Sequence, residues 1–213
     1  MVASDGERRF LHTMGANAVF CAEDVNMEIV KQAKILHVAG TYLMPTFDGE
    51  QTAEILRQAR EDGVRTCLDT AFNDRLDEQA WRDGIFPCLP YLDFFVPSME
   101  EAEEITGKSD PAKMAAVCHD KGCEIVCIKM GGEGCYVSDS GHGIQIPKFD
   151  VEAKDTSGAG DCWCAGFLKG VLEGWPLEEC GRFGNAVAAF GVQAIGCSTG
   201  VTSFDEIKEF MSS

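Results

Sequence analysis

The stretch Asp155-Thr156-Ser157-Gly158-Ala159-Gly160-Asp161, running into Cys162-Trp163-Cys164-Ala165-Gly166-Phe167-Leu168, sets three small residues between two aspartates at the mouth of an apolar helix. The first amides of a helix have no carbonyl partner within it, and the helix dipole draws anions to that end. The amides of Gly158, Ala159 and Gly160 are therefore expected to be unpaired and to point at an anion, with Asp161 beside it in the first helical turn. A carboxylate next to an anion is electrostatically costly. Accepting a proton from an attacking hydroxyl is a task that explains its presence. An acidic first turn that only favours the dipole accounts for one aspartate but not for the small-residue run or for Gly166 further along.

Upstream of that stretch, apolar runs suited to buried strands alternate with amphipathic segments, the pattern of a parallel sheet covered on both faces. Strands are expected over 35–39, 64–68, 94–96 and 124–130, with helices over 25–33, 49–62, 99–106 and 112–120. Gly63 and Gly122 follow helices where a left-handed cap is wanted, and Asp48 and Asp110 precede helices as N-caps do. Beyond Met130 the order changes. Short strands over 135–138 and 143–149, joined by the turn 138–143, make an antiparallel piece. Helices are then expected over 158–173, 177–194 and 203–210, the last capped by Ser203 with Glu206 at the capping-box position.

With 213 residues and 45% hydrophobic content, the chain can bury one good-sized core, and it reads as a single domain. Eighteen basic against 35 acidic residues leave a net charge of −17, which disfavours nucleic acid and anionic membranes as partners. A phosphate-bearing ligand then needs local help from helix amides, a lysine or a divalent metal. No apolar run approaches the roughly 20 residues of a membrane span, and Met1 to Arg9 is polar rather than signal-like, so a soluble, cytoplasmic protein is expected. The 11 cysteines are odd in number and lie mostly in apolar runs, which reads as buried reduced thiols. Cys118, Cys123 and Cys127 lack the paired spacing of a zinc site, and His12, His37, His119 and His142 are too scattered for a constellation. Tyr42, Trp81 and Trp163 read as core or rim packing.

Three further segments bear on function. Lys129-Met130-Gly131-Gly132-Glu133-Gly134 is a glycine turn at the carboxyl end of a strand, where open α/β sheets bind ligands, although a hairpin would use the same glycines. Val96-Pro97-Ser98-Met99-Glu100-Glu101-Ala102 ends another strand with carboxylates in a first helical turn, where the dipole alone explains Glu100. Residues 185–200 put small residues on a helix leading into a glycine-containing loop, which suits either helix packing or a flat ring. An ordinary dinucleotide-binding domain is excluded, because no G-x-G-x-x-G follows an early strand.

In this order the segments resemble the carboxyl-terminal two-thirds of the PfkB carbohydrate kinase family, the ribokinase-like sugar kinases. Residues 155–168 fit that family's second signature, Ile146-Pro147-Lys148-Phe149 leads into it, and Asp5-Gly6-Glu7-Arg8-Arg9 with Gly15-Ala16-Asn17-Ala18 look like the end of its lid sheet and the return to the core. The resemblance implies an α/β fold, a ribokinase-like three-layer αβα sandwich with a mostly parallel central sheet, here lacking the N-terminal strands and most of the lid. Residues 1–20 would be the lid remnant and 21–213 the nucleotide-binding core.

For the site, the resemblance implies Asp161 as the base for a sugar hydroxyl, and Gly158, Ala159 and Gly160 as an anion hole. It sets Lys129, Gly131, Gly132 and Gly134 at the ATP phosphates and Asn185 near the adenine. Glu101 would act through Mg²⁺ and its waters, and carbonyls of Asp155 and Ser157, with Gly191, Gly196 and Gly200, would map to a K⁺ site. The partners implied are ATP and a small sugar or sugar-like alcohol. The family's lid-mediated homodimer is left open, because one lid strand remains.

Two departures qualify this. Ser98 stands where the family usually has the asparagine of Asn-x-x-Glu, so weaker Mg²⁺ or ATP handling is expected. Family members also carry about a hundred further residues before the point matching Asp5, including the aspartate that grips the sugar. The chain therefore reads as a fragment, a truncated gene product or an incomplete gene model. Two functions follow: an ATP-dependent sugar kinase, or a catalytically impaired nucleotide-binding fragment or interaction module. Ribose, fructose, a keto-deoxy acid and a nucleoside are not distinguished as acceptors.

Overall fold

The computed structural model describes residues 13–212. The expected lid strand at Asp5 to Arg9, and His12, lie outside the described residues. The chain divides into two compact units, one of residues 13–128 and 138–143, the other drawing on 129–137 and 144–213.

In the first unit, 3₁₀ turns at Gly15–Ala18 and Ala22–Asp24 precede a short helix α1 (Met27–Val30) and strand β1 (Ile35–Thr41). There follow α2 (Glu50–Glu61), β2 (Arg65–Thr70), α3 (Glu78–Ile85), β3 (Phe94–Phe95), α4 (Met99–Thr106), α5 (Pro111–Asp120) and β4 (Ile125–Lys129). The pairings are parallel, with Leu36 opposite Thr66, Cys67 opposite Phe94 and Phe95 opposite Val126. β1 and β2 slip in register between Val38 and Thr41. Cys67, Leu68, Phe94 and Phe95 are almost fully buried, as expected of parallel strands covered on both sides. On α2, Thr52, Ala53, Ile55, Leu56 and Ala59 form the buried stripe, at the spacing of a helix with one apolar face.

Helix starts show where local chemistry decides. Asp110 caps α5 as expected, its carboxylate accepting from the Lys113 amide at 3.0 Å. Asp48 does not cap α2. Gly49 holds that position at φ +75°, while Asp48 turns back to accept from the Met44 amide at 3.2 Å. α3 was not expected from the pattern, although Asp77 caps it at 2.9 Å to the Ala80 amide and Trp81 anchors it in the core at 1% exposure.

The second oxygen of Asp48 is buried with no hydrogen-bond partner among the described residues. Burial pushes this carboxyl up to about 6 from 3.8. The folded state therefore holds a proton that the unfolded chain releases, so stability falls as pH rises from 3.8 to about 6 and is level above that. Urea titrations across this range should show that fall in the native chain and a flattened profile in Asp48→Asn; equal pH profiles would show that Asp48 is not the group responsible.

β5 (Cys135–Asp139) and β6 (Gly143–Ile146) form a hairpin whose turn is closed by Asp139, its carboxylate accepting from the Gly141 and His142 amides. The six strands follow chain order in the sheet. β6 stops at Ile146 rather than 149 because Pro147 has no amide to continue the ladder.

The second unit is dominated by α6 (Ala159–Glu173), α7 (Leu177–Gly191) and α8 (Phe204–Ser212). α6 and α7 cross closely: a Cβ on Gly166 would stand 2.7 Å from a Val187 methyl and 3.0 Å from the Gly184 Cα. α7 ends at Gly191, short of the expected 194. The carbonyl of the next residue, Val192, turns out to accept from the Lys154 amide at 2.7 Å and the Asp155 amide at 3.2 Å. Ser203 and Glu206 bond reciprocally at the start of α8, as expected. Nine of the 11 cysteines are buried thiols. Among the described residues no helix is long and apolar enough to cross a membrane.

Candidate active site

The second unit brings together most of the residues singled out in the sequence. Gly158 caps the start of α6, and its φ of +72° is left-handed and natural to glycine. A Cβ there would lie 2.7 Å from the Cys197 Cβ, with the Cys197 carbonyl oxygen closer still. The loop after α7 is thus pressed directly onto the turn that opens α6.

Asp155 holds the two pieces in place. It is 5% exposed, and one carboxylate oxygen accepts from the Ser157 amide at 2.9 Å while the other accepts from the Gly196 amide at 3.0 Å. This bridge and the Val192 carbonyl tie residues 154–157 to 192–196, a connection that short-range sequence patterns do not register. Of the three amides expected to be unpaired, Ala159 is partly engaged, donating to the Thr156 carbonyl at 3.3 Å. Asp161 is exposed in the first turn of α6.

Lys129, at the end of β4, sends its ammonium to this same turn: a Cβ on Gly160 would stand 3.3 Å from Lys129 Nζ. One fixed positive charge therefore stands at the helix start in a chain of net charge −17. After Lys129, Gly131–Glu133 make a 3₁₀ turn closed by Met130 N–H to the Gly134 carbonyl at 2.8 Å, with Gly131 at φ +53°. Gly134 is at φ +91° and ψ −125°, and a Cβ there would lie 2.7 Å from the Lys148 amide nitrogen and nearer to the Ile146 carbonyl oxygen. Gly132 has open space around it.

Asn185 is held by partners within the second unit. It is 5% exposed on α7, and its amide donates to the carbonyls of Ile146 at 3.1 Å and Pro147 at 2.9 Å. Its oxygen accepts from Trp163 Nε1 at 2.9 Å. Both donor hydrogens are engaged within the protein, so the residue fastens the segment between β6 and α6. Gly191 and Gly200 meet at the end of α7, where a Cβ on Gly200 would lie 3.0 Å from the Gly191 carbonyl oxygen. Gly196 supplies the amide that Asp155 accepts.

Glu101 belongs to the first unit. It is 5% exposed, and one of its carboxylate oxygens accepts from Thr70 Oγ1 and from the Ser98 amide, both at 2.7 Å. Ser98 Oγ accepts in return from the Glu101 amide at 3.4 Å, a capping box at the start of α4. The S-x-x-E spacing that announces this box was present in the sequence, and the participation of Thr70 was not foreseeable from it. No cluster of three or more His, Cys, Asp or Glu side chains among the described residues could hold a metal ion by itself.

Comparison with known proteins decides the family. The family model for pfkB family carbohydrate kinases matches residues 1–203. The chain belongs to that family. It is 30% identical over 220 residues to the ribokinase of Haemophilus influenzae, covering 99% of this chain and 67% of that protein. It is 38% identical over 200 residues to an uncharacterized sugar kinase of Archaeoglobus fulgidus, covering 94% and 77%. Against a 6-phosphofructokinase of Thermoanaerobacterium thermosaccharolyticum it spans 56% of that protein's length. Among solved structures, the Thermotoga maritima ribokinase superimposes with a TM-score of 0.81 at 24% identity, over 100% of this chain and 68% of that one. A putative ribokinase II from E. coli in complex with ATP and Mg²⁺ gives 0.78 at 22% identity, over 90% and 63%. The α/β ribokinase-like fold with its mostly parallel six-stranded sheet is thereby established.

Proposed function

We propose that this pfkB-family chain handles the phosphates of ATP and transfers the terminal phosphoryl group to a hydroxyl of a sugar, with Asp161 as general base. The observation that carries the reading is the convergence at the start of α6 of a left-handed Gly158, the Lys129 ammonium against Gly160, and an exposed Asp161. In phosphoryl transfer the protein's work is positioning and charge stabilisation. The Gly158 and Gly160 amides and the Lys129 ammonium stabilise negative charge on the transferring group, and Asp161 receives the proton of the attacking hydroxyl. Gly131, Gly132 and Gly134 let the backbone after β4 approach the remaining phosphates without side chains in the way.

Asn185 contributes by holding Ile146 and Pro147, and with them the approach to the signature turn. Mg²⁺ suits a site with one buried carboxylate, since it keeps most of its waters and takes other ligands from substrate phosphates. Glu101 would hold it through water, and the metal would neutralise phosphate charge. For K⁺, the Asp155 carboxylate is already occupied by two amides, so the residues left to coordinate it are the backbone carbonyls of Asp155 and Ser157 and those near Gly191, Gly196 and Gly200.

The test is thermal unfolding of the full chain with and without Mg-ATP, followed by a transfer assay over ribose, fructose, a keto-deoxy sugar acid and a nucleoside. Ligand at a hundred times its dissociation constant stabilises by about 2.7 kcal/mol, a readily visible shift. A shift together with transfer to one acceptor supports the kinase. A shift without transfer leaves nucleotide binding as the activity, and no shift overturns the reading.

A further inference from the structure

We propose that Cys162 and Cys197 are a thiol pair that oxidises to a disulfide across the turn opening α6. Among the described residues Cys197 is the cysteine classed as exposed, while Cys162 is buried in the first turns of α6. The Cys162 thiol donates to the Cys197 carbonyl at 3.3 Å, so the two residues already touch. Gly158 lies between them, with the position of its absent Cβ 2.7 Å from the Cys197 Cβ. A disulfide needs Cβ atoms about 3.5–4.5 Å apart, so the backbone at Cys197 has to shift until its Cβ meets that range, and its side chain has to turn the sulfur onto the Cys162 thiol.

The two thiols have unequal roles. Cys162 is buried and its thiol is held on the Cys197 carbonyl, so a soluble oxidant does not reach it first. Hydrogen peroxide therefore meets Cys197. Its sulfur takes one peroxide oxygen to become a sulfenic acid, and water leaves. The Cys162 sulfur then attacks the sulfenic sulfur, the S–S bond forms, the S–OH bond breaks and a second water leaves. Two thiols are oxidised by two electrons and one peroxide is reduced; a dithiol reductant reverses the bond.

The new bond replaces the thiol-to-carbonyl contact and draws Cys197 off Gly158, so the turn loses the surface that shapes it. That consequence for ATP rests on the proposed function, whereas the bond itself does not. The 213-residue chain, reduced and then treated with one equivalent of hydrogen peroxide, would be alkylated and digested without reduction. The peptides carrying Cys162 and Cys197 should appear joined, should separate with dithiothreitol, should stay unjoined in Cys197→Ser and should remain joined in Cys21→Ser. The Mg-ATP affinity read from thermal shifts should fall at least tenfold on oxidation and return on reduction. Cys197 joined to Cys21 or to a second chain, or Cys162 alkylated throughout, overturns the pair. A joined pair with unchanged Mg-ATP affinity overturns its effect on the turn. A reduced chain with no Mg-ATP shift overturns the proposed function instead, and the joined peptides still decide the thiol pair.

Discussion

Replacing Asp161 by asparagine lowers phosphoryl transfer by roughly 10²- to 10⁴-fold, the usual contribution of a positioned general base, and leaves the Mg-ATP-induced rise in melting temperature in place. The substitution keeps the size and shape of the side chain and removes only its capacity to take a proton at neutral pH. Asp161 is exposed and supports no core packing, so the folded state should survive with its melting temperature nearly unchanged. Measuring kcat and the Mg-ATP shift on the same preparations separates the outcomes. Loss of both would make Asp161 a ligand-holding residue; loss of neither would put the base elsewhere in the chain.

The largest stability effect is expected at Gly134. Alanine there would have to adopt φ +91° with ψ −125°, a region essentially reserved for glycine, at a cost of about 1–3 kcal/mol. Its methyl would also be driven into backbone, with the Lys148 nitrogen at 2.7 Å, the Pro147 carbonyl carbon at 2.8 Å and the Ile146 oxygen nearer. None of these is the end of a flexible side chain, so relief requires moving the strand end itself, and overpacking adds about 1–3 kcal/mol. Together these make about 4 kcal/mol, which for a domain of this size lowers the melting temperature by roughly 8–16 °C. Calorimetry of Gly134→Ala beside Gly132→Ala gives the contrast, since Gly132 has open space around it and should move little. Equal effects would mean that the turn yields and the close approach is not a constraint.

Much of this architecture was legible in the sequence because its strongest signals are local. The parallel strands announced themselves as apolar runs, α5 and α8 by their capping residues Asp110 and Ser203, and the 155–161 run by small residues between aspartates. What escaped reading depended on distant partners. Asp48 looked like an N-cap because of its place before a helix, yet the backbone at Gly49 turns left-handed and leaves the carboxylate to the Met44 amide. α3 was missed because it is only eight residues long and its apolar face rests on Trp81 and Ile85 alone, which are buried one turn apart. Asn185 also fastens distant backbone, its amide hydrogens going to carbonyls 38 and 39 residues away, which no short window reveals. The same holds for Asp155 and Gly196, 41 residues apart.

The nine buried thiols also bear on what happens when the fold is lost. While folded, burial shields them, and Cys88, Cys118 and Cys135 are pushed up to about 12, far from the thiolate form. Unfolding returns them to ordinary acidity and to solvent at once. In air, a chain kept unfolded would then cross-link at random over seconds to hours. Prolonged denaturation would become a one-way reaction, and the yield on refolding would fall with the time spent unfolded.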